Sequence, residues 1–304
     1  MSTATTCNSA MSRTLPITTR EGRVLRVVDG GDPSGWPIFL HHGTPVSGAL
    51  YAPHERDALE HGIRLIGYDR PGYGGSDPSP GRRVVNAAAD VLAIADHLGL
   101  ANFSVWGHSG GGPHALACSA TLPDRVASAA ASASVAPYGA QGLDWMEGMG
   151  EGNLREFQAA LSGREALERY VAPECEAMRQ ESGNVSPEMR TLLSPQDFEL
   201  LTGELGRHLQ SAQRFGIEKS PEGWIEDDFA FISDWGFDLN SVKVPTSIWH
   251  GKLDRFVPYA HGVWLAEHVP QAEFHSFDQE THLTLYDGHF QEITRWLHDR
   301  AKGH

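Results

Sequence analysis

A chain of 304 residues, 40% hydrophobic and 21% charged, is long enough for one large domain with a sizeable core, and its composition is that of an ordinary globular protein. No apolar run approaches the roughly 20 residues that cross a bilayer, and a net charge of −15 argues against a nucleic acid or an anionic membrane as partner. Three widely spaced cysteines, Cys7, Cys118 and Cys175, argue against a disulfide framework and for a reducing cytoplasm.

Residues 1–13 are rich in Ser, Thr and Ala and lack an apolar stretch, so they read as a disordered leader rather than a signal peptide. Strand-like runs follow at Val24–Val28, Pro37–His41 and Ile63–Tyr68, each bounded by Gly, Pro or Asp. Asn86–Leu98 carries apolar residues at helical spacing and ends at Gly99, a C-cap. Phe103–Trp106 reads as a strand, Pro113–Ala120 as a helix, and Val126–Val135 as a strand of small residues. Strand and helix alternating at this spacing predict a mainly parallel sheet covered on both faces.

The alternation breaks from residue 137 to residue 234, where Asn153–Leu161, Arg164–Val171 and Pro195–Gln213 show helical periodicity. Charge marks the same break. Residues 1–143 hold 11 acidic and 10 basic side chains, residues 144–240 hold 20 and 8, and residues 241–304 hold 8 and 6. Strand and helix then resume with Val244–Trp249, Tyr259–His268, Glu273–Phe277 and His289–Arg300. The expected organisation is an α/β core in two parts, 14–136 and 235–304, interrupted by an acidic helical insertion over 137–234.

The central motif is Gly107-His108-Ser109-Gly110-Gly111. A lone G-x-S-x-G is weak, but this one follows a strand and opens a helix, which is where a nucleophile elbow needs glycines around a strained serine. Serine needs a base, and with such an elbow the acid and then the histidine follow along the chain. Asp254 stands just past Val244–Trp249 and His282 just past Glu273–Phe277, which makes them the candidate acid and base; His289 is the runner-up among sixteen histidines. The oxyanion requires backbone N–H groups. One is expected from Gly110 and the other from Thr44 in His41-His42-Gly43-Thr44-Pro45, since Pro45 has no N–H. The Gly110-Gly111-Gly112 run lacks the Lys of a phosphate loop, and the paired histidines lack ligands at metal spacing, so no metal site is expected.

These motifs, together with Tyr68-Asp69-Arg70-Pro71-Gly72-Tyr73-Gly74-Gly75-Ser76-Asp77, resemble the α/β-hydrolase superfamily over about residues 23–300, the insertion excepted. The resemblance implies that His42-Gly43-Thr44-Pro45 is the oxyanion loop, that Asp69, Arg70 and Asp77 are structural, and that the insertion is a lid between core strands six and seven. The His-Gly-x-Pro form is similar to the epoxide hydrolase and haloalkane dehalogenase branch, whose nucleophile is Asp. Ser109 therefore argues against epoxide and C–halogen cleavage and for ester chemistry. A neutral small-to-medium carboxylic ester or lactone is the expected substrate, with no cofactor. A C–C bond hydrolase, a perhydrolase, a hydroxynitrile lyase and a low-turnover ligand receptor are the competing readings. Within the insertion, Trp145, Met146, Met149 and Phe157 are expected to face the site while the carboxylates face water; the alternative is that these apolar residues fasten the insertion to the core.

Overall fold

The computed structural model describes residues 12–180 and 186–302. Eight strands form one sheet: β1 (Arg13–Thr18), β2 (Val24–Gly31), β3 (Trp36–His41), β4 (Ile63–Tyr68), β5 (Phe103–His108), β6 (Val126–Ser132), β7 (Thr246–Gly251) and β8 (Glu273–Phe277). They lie in the order β1-β2-β4-β3-β5-β6-β7-β8, with β1 and β2 antiparallel to their neighbours and β3 to β8 all parallel. The leader expected over 1–13 lies outside the described residues as far as residue 11, and at its end Arg13 already opens β1. There Arg13 binds the Asp29 carboxylate of β2, which Arg64 of β4 also holds.

Alternation along the strands splits the side chains into two cores. Phe39, Ile66 and Val105 point to one face, where α2 (Ala87–His97) and α3 (Gly112–Thr121) contribute Val91, Ile94, Ala115 and Cys118. Ile38, Leu65 and Trp106 point to the other, under α1 (Ala52–Glu60) and, near the end of the chain, α12 (Phe290–Ala301), which bring Ala58, Phe290, Ile293 and Leu297. Both faces being covered explains why β5 and β6 are buried at every residue. The Ala and Ser residues of β6 leave room for large neighbours, and their hydroxyls satisfy buried donors: Ser132 accepts from Trp106 Nε1 at 2.9 Å. Ala133, at φ 46°, ends that strand, three residues before the expected boundary.

Six helices fill the segment between β6 and β7: α4 (Glu151–Leu161), α5 (Arg164–Arg179), α6 (Pro187–Leu192), α7 (Pro195–Leu201), α8 (Glu204–Gly216) and α9 (Glu222–Ile232). The single helix expected over Pro195–Gln213 is two, parted at Thr202 and Gly203. After β7 come α10 (Tyr259–His268), β8, α11 (His282–Gly288) and α12. No described helix is long and apolar enough to cross a membrane.

Candidate active site

The C-terminal ends of β3 and β5 and the segments that follow β7 and β8 line one cavity of about 300 Å³. Ser109 follows β5 directly and sits at φ 56°, a backbone state that a side chain tolerates only when its surroundings enforce it. The enforcement is steric. A Cβ on Gly107 would strike the Gly111 carbonyl, and one on Gly111 would strike the His41 carbonyl, so the turn closes only with glycine at both places. A short 3₁₀ turn over Ser109–Gly111 then leads into α3, whose N-terminus lies behind the serine.

Asp254 and His282 meet at the same cavity. His282 Nδ1 lies 2.8 Å from Asp254 Oδ2, and both residues are buried. The other Asp254 oxygen accepts from the N–H groups of Phe256 and Val257, each at 2.9 Å, which fixes the carboxylate in the plane that meets the imidazole. With Nδ1 donating to Asp254, Nε2 is the nitrogen left to act as a base. Phe256 stacks on the ring at 4.5 Å between centroids and holds its tilt. Ser109 and His282 both line the cavity, together with Leu50, Leu193, Leu209, Leu283 and Tyr286, a mostly apolar wall. His289 lies elsewhere, between Glu280 at 3.3 Å and Glu292 at 2.8 Å, and does not line the cavity.

Thr44 and Gly110 are adjacent: a Cβ on Gly110 would come within 2.5 Å of Thr44 Oγ1. Gly43 passes over the serine, where a Cβ would sit 3.4 Å from that of Ser109. The loop is held from below by a buried charge cluster that sequence reasoning did not find. Thr44 Oγ1 donates to Asp227 of α9 at 2.6 Å, Tyr73 OH donates to the same oxygen at 2.8 Å, and Arg70 and Arg82 both donate to that carboxylate. Arg70 also donates to the His42 carbonyl, and His42 Nε2 accepts from the Arg70 N–H at 3.1 Å. Burial opposes ionisation of Asp227, but Arg70 and Arg82 outweigh it and hold the carboxyl well below the usual carboxylate range. Burial and then Arg70 push His42 well below its ordinary value, so it is neutral. Asp69 and Asp77 are structural, as expected: Asp69 accepts from the N–H groups of Gly48 and Gly75, and Asp77 from that of Val24.

A second carboxylate of the inserted helices braces the imidazole. Asp197, wholly buried at the start of α7, accepts from Thr281 Oγ1 and from the Leu283 N–H at 2.9 Å, the two neighbours of His282. The only sequence signal was the capping pattern Ser194-Pro-Gln-Asp197, which says nothing of the tertiary contact.

Of the four insertion residues expected at the site, three are elsewhere. Trp145 is buried, donates from Nε1 to the Ala136 carbonyl at 2.6 Å and packs edge-on against His261. Met149 is buried and Met146 packs partly buried in the same core cluster, so these residues fasten the segment to the core. Phe157, though buried in the same cluster, is the one of the four that lines a cavity with the serine, the smaller one adjoining the first. The expectation that the carboxylates face water also needs correction: Asp197, Glu226, Asp227 and Asp228 are all buried, because arginines and backbone N–H groups reach most of them.

A sequence profile described as the alpha/beta hydrolase fold matches residues 37–289. The chain belongs to that family, and it is an enzyme. A non-heme chloroperoxidase of Streptomyces lividans is 31% identical over 248 residues, covering 80% of this chain and 83% of the relative. A 2-hydroxy-6-oxononadienedioate/2-hydroxy-6-oxononatrienedioate hydrolase of Paraburkholderia phymatum is 27% identical over 284 residues, covering 92% and 86%. Among solved structures, a thermophilic esterase from Thermogutta terrifontis superposes with a TM-score of 0.69 at 21% identity, covering 95% of this chain and 99% of that one, which speaks for the fold alone.

Proposed function

We propose that the chain is a serine hydrolase that cleaves a neutral small-to-medium carboxylic ester or lactone through an acyl-enzyme. The observation that carries this reading is the His282–Asp254 pair opening on the same cavity as a serine at φ 56°. His282 Nε2 takes the Ser109 proton as Oγ bonds to the ester carbon, and Asp254 stabilises the imidazolium. The N–H groups of Thr44 and Gly110 receive the oxyanion. The imidazolium then protonates the departing alkoxide, and water, giving its proton to His282, releases the acid and free Ser109. Residues 137–234 act as the lid of this site. The free thiols Cys118 and Cys175 fit a cytoplasmic protein.

A fluorophosphonate probe should label one residue, with the adduct mapping to a peptide within 103–125, and Ser109→Ala should abolish labelling in a folded protein. Labelling that survives the substitution removes the nucleophile assignment.

The relative named a chloroperoxidase supports a second reading on the same residues. Hydrogen peroxide in place of water would attack the acyl-enzyme and release a peracid. Adding peroxide to an ester turnover and measuring peracid against free acid separates the two.

A further inference from the structure

A smaller cavity of about 80 Å³ adjoins the first and shares Thr44 and Ser109 with it. Four carboxyl groups line it, Glu156 of α4, Glu174 of α5, Glu188 of α6 and Asp228 of α9, and no Lys or Arg does so among the described residues. Two of the four are satisfied: Glu174 accepts from Ser186 Oγ at 2.7 Å and Glu188 pairs with Arg155 at 3.5 Å. Glu156 accepts from Trp224 Nε1 at 2.6 Å. Asp228 is different. It is 1% exposed, and no N–H or O–H of the described residues donates to either of its oxygens.

Its ionisable neighbour is the carboxyl of Glu156. Burial first, and the nearby Glu156 second, push Asp228 well above its ordinary value; burial pushes Glu156 up to about 7. The other ionisable groups acting on the pair are Asp227 and Arg82 on the Asp228 side and Glu174 on the Glu156 side. A buried carboxyl beside the nucleophile that, like Asp228, receives no hydrogen bond from the described residues costs stability that an apolar side chain would not. A donor supplied from outside the chain removes that cost.

We propose that this cavity is a specificity subsite for a small ammonium group of the substrate, held by Asp228 and Glu156. The inference rests on the Ser109 ester-hydrolase reading and departs from it in one respect: the substrate carries a positive charge away from the ester instead of being neutral. An –NH₃⁺ group brings three donors and one positive charge to a wall that has unused acceptors and no cation. The cavity has room for a short alkylamine of a few heavy atoms. The ammonium competes with protonation of the pair, whose carboxyls are both held above their ordinary values, so binding strengthens as the pH rises.

The probe is n-propylammonium chloride, compared with 1-propanol at equal concentration and with sodium chloride at equal ionic strength. Two readouts are taken: the rise in Tm of the free protein, and inhibition of p-nitrophenyl butyrate hydrolysis. At pH 8 the ammonium should raise Tm where propanol and sodium chloride do not, and should inhibit at least tenfold more strongly than propanol. The preference should shrink at pH 6. Asp228→Asn should lower it at least fivefold, and Glu156→Gln provides the same test should Asp228→Asn not fold. Equal effects of ammonium and propanol, or a preference that survives both substitutions, overturn the proposal. A Tm response to ammonium without any ester turnover would sustain the subsite and sink the ester reading; turnover with no ammonium preference would do the reverse.

Discussion

Replacing Asp227 by Asn tests whether the oxyanion loop is held by charge. The carboxylate takes five hydrogen bonds, two from Arg70 and one each from Arg82, Thr44 and Tyr73, and it is wholly buried. Asparagine keeps the shape and removes the charge, leaving Arg70 and Arg82 at 1% and 6% exposure without that counter-ion. Breaking a buried pair in this way costs about 3–5 kcal/mol, which at about 2–4 °C per kcal/mol in larger domains is a fall in Tm of roughly 10 °C. The pH dependence follows from the lowered carboxyl. A group held below its unfolded value of about 3.9 contributes its full stability above that pH and loses it as pH falls through the folded value. The gap in Tm between wild type and Asp227→Asn should therefore be constant from pH 8 to pH 5 and close below about pH 4. The loop that carries the Thr44 N–H loses its anchor as well, and loss of one oxyanion donor lowers kcat by about 10²–10³. Thr44→Val, which keeps the N–H and deletes the Oγ1 hydrogen bonds to Asp227 and Arg70, should cost about 1.5–3 kcal/mol and less activity. Circular-dichroism melts across pH and ester kinetics supply the data. A variant that melts within about 2 °C of wild type at pH 7, or a gap that widens in acid, would refute the reasoning.

Asp254→Asn should leave the protein folded and lower kcat by about 10⁴, since an amide in place of the acceptor favours the wrong imidazole tautomer. His282→Ala should be at least as severe, whereas His289→Ala, which removes contacts to Glu280, Glu292 and the Phe277 ring away from the cavity, should be mild; the reverse order in ester kinetics would exchange the two histidines. Gly111→Ala should abolish fluorophosphonate labelling or folding, because its methyl group meets the His41 carbonyl, while Gly139→Ala, at φ 76° with open space around it, should cost only about 1–2 kcal/mol and keep labelling.

The core was legible in the sequence because each strand carries a period-two or continuous apolar run closed by a turn residue, and because the catalytic motifs follow strand ends. Three core elements escaped, α11 among them, and two did so for identifiable reasons. β1 is polar on its outer face and buries only Ile17 and, in part, Leu15, which leaves little alternation to read. α1 buries a histidine and an alanine, His54 and Ala58, so its apolar stripe does not look apolar. Within the insertion α4, α5, α7 and α8 were legible as helical segments, α6 and α9 were not, and the residues expected at the site were not the ones that brace it. Asp197 and Asp227 act on loops 84 and 183 residues away along the chain, and no local pattern encodes such a partner. Net acidity was misleading in the same way: it suggested solvated carboxylates, whereas several are buried because an arginine or a backbone N–H was waiting for them.

The two braces from the inserted helices also limit how this enzyme can be recombined. Asp227 fastens α9 to the oxyanion loop and Asp197 fastens α7 to the His282 turn, so neither helix is a detachable cover. A chimera that exchanged residues 137–234 wholesale with a relative would remove two keystones of the catalytic floor along with the roof, and would be inactive even if it folded. Grafts confined to α4 through α6 leave both in place and alter instead the smaller cavity that Glu156, Glu174 and Glu188 line.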